Sequence, residues 1–472
     1  MSLRAGNRGF TIRRRIVVAT PDTLASKMAG PGIRAWHVAA ALAAEHDVEL
    51  VSTSRCDLQD ARFRTRTATD DDLRELERWC DVLILQGWVM SGRPYLRLSD
   101  KVTVVDIYDP IHLELLEPGR EEVGSRHRRV VRAATSVLNE QLLRGDFFMC
   151  ASEKQRDFWL GHLASLGRVN PATYDEDSTL RSLVTVVPFG VADDPPVRTS
   201  PAIKGVVPGI GAQDRVILWG GGIYNWLDPL TLIQAINRLR LRQPDVRLFF
   251  LGLAHPSAGS AEMGMARAAR ALSDDLGLTG SHIFFNDGWV AYQDRQNFLL
   301  DADIGVSTHL DHVETAFSFR TRILDYLWAG LPTVATRGDA LAQLIEDRDL
   351  GLTVPPGDVG ALQAALGRLL QEDDLAATCR ANIVDLVPEL VWAQGLRPLL
   401  DFCRAPRRAP DLVDPDLATM LGGDPTLLPD EHLGWRHDLK VGMAHLREGG
   451  LPLVADKALG RLRRRLRSAR DA

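Results

Sequence analysis

The sequence predicts an α/β protein built from two doubly wound domains that face each other across a cleft. Three observations carry this. Short apolar runs alternate with helical segments in β–α order along most of the 472 residues. The alternation stops at DDPPVRTSPAIKGVVPGIGAQD (193–214), rich in proline and glycine, and restarts after it. Each half opens with an apolar strand, a glycine-containing turn and a helix.

In the first half, Arg15–Thr20 reads as a parallel strand, and a loop with Gly30, Pro31 and Gly32 leads into an alanine-rich helix, about 33–45. Strands are expected at 48–52, 82–85, 102–105, 147–151 and 184–187, with Ser152 capping the helix after the fourth of these. After the linker, strands are expected at 215–219, 246–251, 283–285 and 302–307. Helices are expected up to Arg240 and over 263–276. From about Pro388 the pattern changes to a helix containing Trp392, and near Pro406 a tail rich in Pro, Asp and Arg begins. The expected division is 1–195 (Rossmann-like), 196–214 (linker), 215–387 (Rossmann-like), 388–405 (helix) and 406–472 (tail).

Composition narrows the function. A net charge of −6 argues against a general nucleic-acid binder, which needs a basic surface. Cys56, Cys80, Cys150, Cys379 and Cys403 are scattered without a CxxC pair. They read as reduced thiols of a cytoplasmic protein, with no zinc site. The basic N-terminus lacks an apolar signal core, and no run of 18 apolar residues suggests a membrane span.

The most informative stretch is ETAFSFRTRILDYLWAGLPTVATRGD (314–339). Ile323, Leu324, Leu327 and Trp328 fall at helical spacing, Gly330 is placed to stop the helix, and Thr333–Thr336 reads as a buried strand. Ser318 is the expected N-cap, which puts Arg320 and Arg322 in the first turn, where the helix dipole opposes cations. Two readings stay open. The arginines pair with acids such as Asp325 or Glu314, or an anion docks there on the free N–H groups near Phe319, Arg320 and Thr321. The turn Gly220-Gly221-Gly222 supplies part of a dinucleotide fingerprint, but Asn225 stands at its third position and no acid follows the next strand. NAD is therefore not expected.

The pattern DADIGVSTH…E…ILDYLWAGLPTVATRGDALAQLI…GLTVPPGD resembles the retaining GT-B glycosyltransferases of family 4, the glycosyl transferases group 1. The likeness extends more loosely over about 15–405. It implies a nucleoside-diphosphate sugar as donor, no other cofactor and no metal. It implies a glycan or lipid-linked acceptor, retention at the sugar, and a helix at 388–405 crossing back to the first domain. By position, Ser318, Phe319, Arg320 and Thr321 would cradle the diphosphate with Gly221 and Gly222. Gly30, Gly32 and Arg34 would face it across the cleft. Asp325, where the family usually has Glu, would bind the ribose, and Trp289 the base. Glu314 would contact the donor sugar, while Asp109 and His112, close to Asp106, would serve the acceptor as catalytic groups. For Asp109, His112 and Trp289 the plain alternatives are caps, turns and packing.

The sequence also departs from the family. Seven residues separate the family's two acids, which puts Phe317 rather than Glu314 at the first position. The family's loop Arg and Lys fall on Gly222 and Leu227. Either Arg320 and Arg322 replace the lost charge, or the donor site has degenerated. Rival readings are an epimerase or hydrolase of the same fold, an inactive sugar-nucleotide binder and, more distantly, a dehydrogenase. The tail GLPLVADKALGRLRRRLRSARDA reads either as a basic amphipathic helix on an anionic membrane surface or as a solvated end.

Overall fold

The computed structural model describes residues 12–117, 125–253 and 263–414. Residues 1–11 and nearly all of the tail, with its expected amphipathic helix, lie outside these residues. The first half holds seven strands: β1 (Arg15–Thr20), β2 (Asp47–Ser52), β3 (Arg64–Thr67), β4 (Val82–Gln86), β5 (Val102–Asp106), β6 (Phe147–Cys150) and β7 (Val184–Val186). The second holds six: β8 (Arg215–Trp219), β9 (Val246–Phe250), β10 (Ile283–Phe285), β11 (Ile304–Ser307), β12 (Thr333–Thr336) and β13 (Gly351–Val354).

Every strand pairing is parallel, in the orders β3-β2-β1-β4-β5-β6-β7 and β10-β9-β8-β11-β12-β13. The strands read as unbroken apolar runs because helices cover both faces. β4 and β12 are buried along their whole length.

Two strands escape the sequence reading. β3 is RTRT, an edge strand whose arginines lie outside the core and pair with Glu49 and Asp72. β13 is GLTV, mostly half-buried at the other sheet's edge. Neither shows the buried run used to find the others.

The segment between the sheets is pinned rather than loose. Ile203 and Ile210 are buried, and the Asp301 carboxylate accepts from the N–H groups of Ala202 and Ile203 at 2.8 Å each. Asp303 pairs with Lys204 at 2.7 Å. Asp301 and Asp303 are thus structural.

The last described residues, 402–411, return to the first sheet. Phe402 stacks on Phe147 at 4.3 Å, Arg404 pairs with Glu45 at 2.6 Å, and Arg168 grips the fully buried Asp411 at 2.6 Å. All five cysteines are free, and four are buried. Among the described residues no helix is long and apolar enough to cross a membrane.

Candidate active site in the cleft between the sheets

The strand order reverses between β1 and β4 in the first sheet and between β8 and β11 in the second. Loops leaving the carboxyl ends of such neighbours diverge and open a crevice. The two crevices face each other.

On the second sheet, the turn after β8 holds Gly221 at φ +74°, a left-handed conformation that favours glycine. The buried Tyr326 hydroxyl anchors this turn, accepting from Gly220 N–H at 2.6 Å and donating to Val306 O at 2.9 Å. Trp289 lies over the glycine ends of β8 and β9. A Cβ added at Gly222 or Gly252 would stand 3.4 Å from its indole.

The expected helix start is two helices, Val313–Phe317 and Thr321–Trp328. Ser318 does not cap the second. It ends the first, and its hydroxyl donates to Thr315 O at 3.1 Å. Arg320 occupies the N-cap position without a side-chain cap, and the Thr321 N–H is already spent on Phe319 O at 2.9 Å. Among the described residues, the N–H groups of Phe319 and Arg320 have no acceptor. Gly330 ends the helix at φ +70°, as anticipated.

The two arginines differ in kind. Arg320 donates from Nη2 to Glu314 Oε2 at 2.6 Å, both side chains buried, so for Arg320 the pairing reading holds. Arg322 pairs with no carboxylate among the described residues. Its Nη2 donates to Gly222 O at 2.9 Å, its guanidinium lies 4.8 Å from the Trp219 ring centre, and its buried Nη1 has no partner. Burial pushes its pKa down to about 10, the mark of a cation without a counterion.

Asp325, the expected ribose acid, is held by Arg295 at 2.9 Å, and that guanidinium stacks 3.7 Å from the Tyr292 ring. Its carboxylate remains partly exposed.

On the first sheet, Gly32 in the helix Gly30–Leu42 turns its N–H toward the Asp22 carboxylate, which it helps to keep ionised. Arg34 does not reach a ligand. It is sealed from solvent, bidentate on Asp106 at 2.7 and 3.0 Å, and flanked by Tyr108 and Phe189. Its buried Nη1 has no partner.

Asp109 is half-buried between the domains. Burial pushes its pKa up to about 7, with help from Glu314, Asp22 and Asp106 and against Arg320. Burial likewise holds Asp22 at about 6 and Glu114 well above its ordinary value. Four carboxyl groups from two domains, Asp22, Asp109, Glu114 and Glu314, therefore share one cleft. The sequence reading missed Asp22 and Glu114. Their only signal is position, after β1 and beside Asp109.

His112 is not part of that group. Its ring packs at 5.7 Å from Phe158 and 6.1 Å from Trp159, and burial, with His162, lowers its pKa to about 4. A neutral imidazole turned into an aromatic cluster does not serve an acceptor in the cleft. Asp339, also unanticipated, N-caps the helix Ala340–Asp347 with Oδ1 and leaves a buried, unpartnered Oδ2 4.0 Å from Arg320 Nε. Among the described residues no group of three or more His, Cys, Asp or Glu is arranged to hold a metal.

Two parallel sheets with their carboxyl edges turned to a common cleft form the GT-B fold of two Rossmann-like domains. Residues 214–372 match the family model described as glycosyl transferases group 1, so the second domain is a group 1 glycosyltransferase domain. A phosphatidyl-myo-inositol mannosyltransferase of Mycolicibacterium smegmatis is 26% identical over 162 residues, 34% of this chain and 37% of that protein. The match spans little more than a third of that relative. Among solved structures, sucrose-phosphate synthase from Thermosynechococcus elongatus superimposes with a TM-score of 0.57 at 15% identity, over 83% of this chain and 98% of that one. Anabaena Alr3699/HepE in complex with UDP-glucose gives 0.57 at 16% identity, over 83% and 99%. At these identities the likeness is one of fold.

Proposed function

We propose that this protein is a retaining glycosyltransferase that moves a sugar from a nucleoside diphosphate to a hydroxyl of a glycan or lipid-linked acceptor. The observation that carries the reading is Arg322, a guanidinium without a carboxylate partner at the switch point of the second sheet, beside Gly221, Gly222 and Trp289. An unneutralised cation, with the open N–H groups of Phe319 and Arg320, suits a diphosphate. The UDP-glucose held by the Anabaena protein and the phosphoinositide in the mannosyltransferase's name agree in class with donor and acceptor.

In this reading Trp289 stacks on the base and Asp325 takes a ribose hydroxyl with the part of its carboxylate left exposed. The acceptor oxygen bonds to the anomeric carbon as the bond from that carbon to the diphosphate oxygen breaks. Arg322 and the two amides hold the charge left on the diphosphate. Glu314 faces the sugar, and Asp109 accepts the acceptor's proton, its affinity being matched to neutral pH. We also place the protein in the cytoplasm, with its tail on an anionic membrane where the acceptor is lipid-linked.

A thermal-shift panel of UDP-, GDP-, ADP-, CMP- and dTDP-sugars identifies the donor, since a bound ligand raises the melting temperature. Radiolabelled donor is then followed with and without glycan acceptors. Label transferred to an acceptor supports the reading. Turnover without any acceptor points to an epimerase or hydrolase, and binding without turnover to an inactive binder. Failure of every sugar nucleotide to bind ends it.

A further inference from the structure

The helix Glu153–Ser165 follows β6 and is capped by Ser152, whose hydroxyl accepts from Gln155 N–H at 3.2 Å. Glutamine three residues after a serine cap normally reaches back to the cap's own N–H. Here its side chain does something else. Gln155 is fully buried, and its Oε1 accepts from Ala151 N–H at 2.8 Å. That leaves Nε2 with two hydrogens, and each has a partner on a different domain. One goes to Tyr108 O at 2.7 Å on the first, the other to Phe317 O at 2.8 Å on the second. One bond accepted and two donated engage both ends of the amide and fix its orientation.

The two carbonyls are well chosen. Tyr108 immediately precedes Asp109, and Phe317 ends the short helix that carries Glu314. The same helical face makes two further contacts across the cleft, beside the separate bond from Tyr292 N–H to Ser26 O at 3.0 Å. Lys154 Nζ donates to Gly338 O at 2.9 Å, one residue before Asp339, and the Phe158 ring lies 4.7 Å from Phe317.

We infer that Gln155 is a positioning residue: its amide bolts the two domains together and sets the separation of Asp109 from Glu314. The purpose assigned to that separation rests on the glycosyltransfer reading, while the bolt itself does not. Domain opening breaks the bond to Phe317 O but leaves the bond to Tyr108 O intact. Gln155 thus belongs to the first domain and engages the second only on closure. A misplacement of about 1 Å between reacting groups costs on the order of 100-fold in rate.

The test compares wild type with Gln155→Met, which keeps length and volume but donates nothing, and Gln155→Glu, which keeps the acceptor for Ala151 N–H and turns a carboxylate on two carbonyls. Small-angle X-ray scattering reads domain separation without any ligand, and thermal melting checks the fold. With the donor found in the panel, kcat and KM are measured separately. Both variants are expected to melt as cooperatively as wild type and to show a larger radius of gyration. kcat is expected to fall roughly 10- to 100-fold with donor KM within about twofold. An unchanged radius of gyration overturns the inference, whatever the activity. If no sugar nucleotide is turned over but the variants open, the bolt stands and the glycosyltransfer reading falls. A rise in KM with unchanged kcat also overturns the positioning role.

Discussion

Arg320 and Glu314 meet through a 2.6 Å hydrogen bond between side chains that are 7% and 2% exposed. Each has only a longer second neighbour: Asp339 Oδ2 lies 4.0 Å from Arg320 Nε, and His312 Nδ1 lies 3.9 Å from Glu314 Oε2. The pair therefore behaves as a buried ion pair on the cleft wall, and its members are not interchangeable with surface charges. Two residues on, Arg322 has the opposite situation: it is enclosed, with nothing of opposite charge beside it.

Removing one member of the pair strands the other. Arg320→Ala is expected to lower the stability of the second domain by roughly 3–5 kcal/mol, because Glu314 is left as an uncompensated buried charge. Urea unfolding measures this directly. A change under about 0.5 kcal/mol, the range of ordinary surface substitutions, would show that the pair is solvated.

Arg322→Met should do the reverse. Replacing an enclosed guanidinium that has no counterion with an apolar chain of similar length leaves stability equal to or above wild type. Nucleotide affinity should fall by about 10- to 100-fold, equivalent to roughly 1.5–3 kcal/mol for a lost charged hydrogen bond. Calorimetry with the nucleoside diphosphate of the donor reads it. Equal affinity in the two proteins would move the diphosphate away from Gly222.

What could be read beforehand follows from what each element depends on. Strands such as β1 and β4 are buried on both faces, so their apolar runs announce them, and Gly330 marks its helix end through a backbone angle that other residues avoid. β3 was silent because an edge strand of Arg and Thr owes its place to Glu49 and Asp72, residues distant in sequence. The same distinction runs through the site. Position along the chain placed Gly221, Trp289 and Glu314 at the cleft. It could not reveal that Arg320 would choose Glu314, that Arg34 would be spent on Asp106, or that Gln155 would face two carbonyls. The first two are contacts between separate loops of one domain and the third crosses to the other domain, so all three depend on tertiary packing rather than on local pattern. Ser318 failed as a cap because the chain breaks into two helices there, and the serine ends the first.

Tyr326 offers a test of the glycine turn that leaves all charges in place. Its hydroxyl serves Gly220 N–H and Val306 O, both buried. Tyr326→Phe keeps the ring, which packs closely against Gly305, and removes both bonds. Each orphaned backbone group costs about 1–3 kcal/mol. Chemical denaturation should show a loss within that range or somewhat above it. Nucleotide binding should weaken as the turn loses its anchor. A variant as stable as wild type would mean that water replaces the hydroxyl.

The four-carboxyl cleft makes stability depend on pH in a definite direction. Asp109, pushed up to about 7, and Asp22, pushed up to about 6, keep their protons in the folded protein up to those pH values. In the unfolded chain both release them near pH 4. Between about pH 4 and 7 the folded state thus binds more protons, and the contribution of these groups is lost as pH rises through that window. His37, His112 and His309, each lowered to about 4 chiefly by burial, act oppositely below about pH 6.5, where the unfolded chain takes up the protons. The wild-type slope mixes both sets, so the informative quantity is the difference from Asp109→Asn. That variant cannot ionise and should gain on wild type as pH rises from 5 to 8. It should end more stable at pH 8 by roughly 1–3 kcal/mol, less than the full shift would convert to because the cleft admits water. Urea unfolding at unit steps of pH gives the difference. Parallel curves for the two proteins would mean that Asp109 is already ionised at pH 5 and that the carboxyl groups of the cleft do not crowd one another.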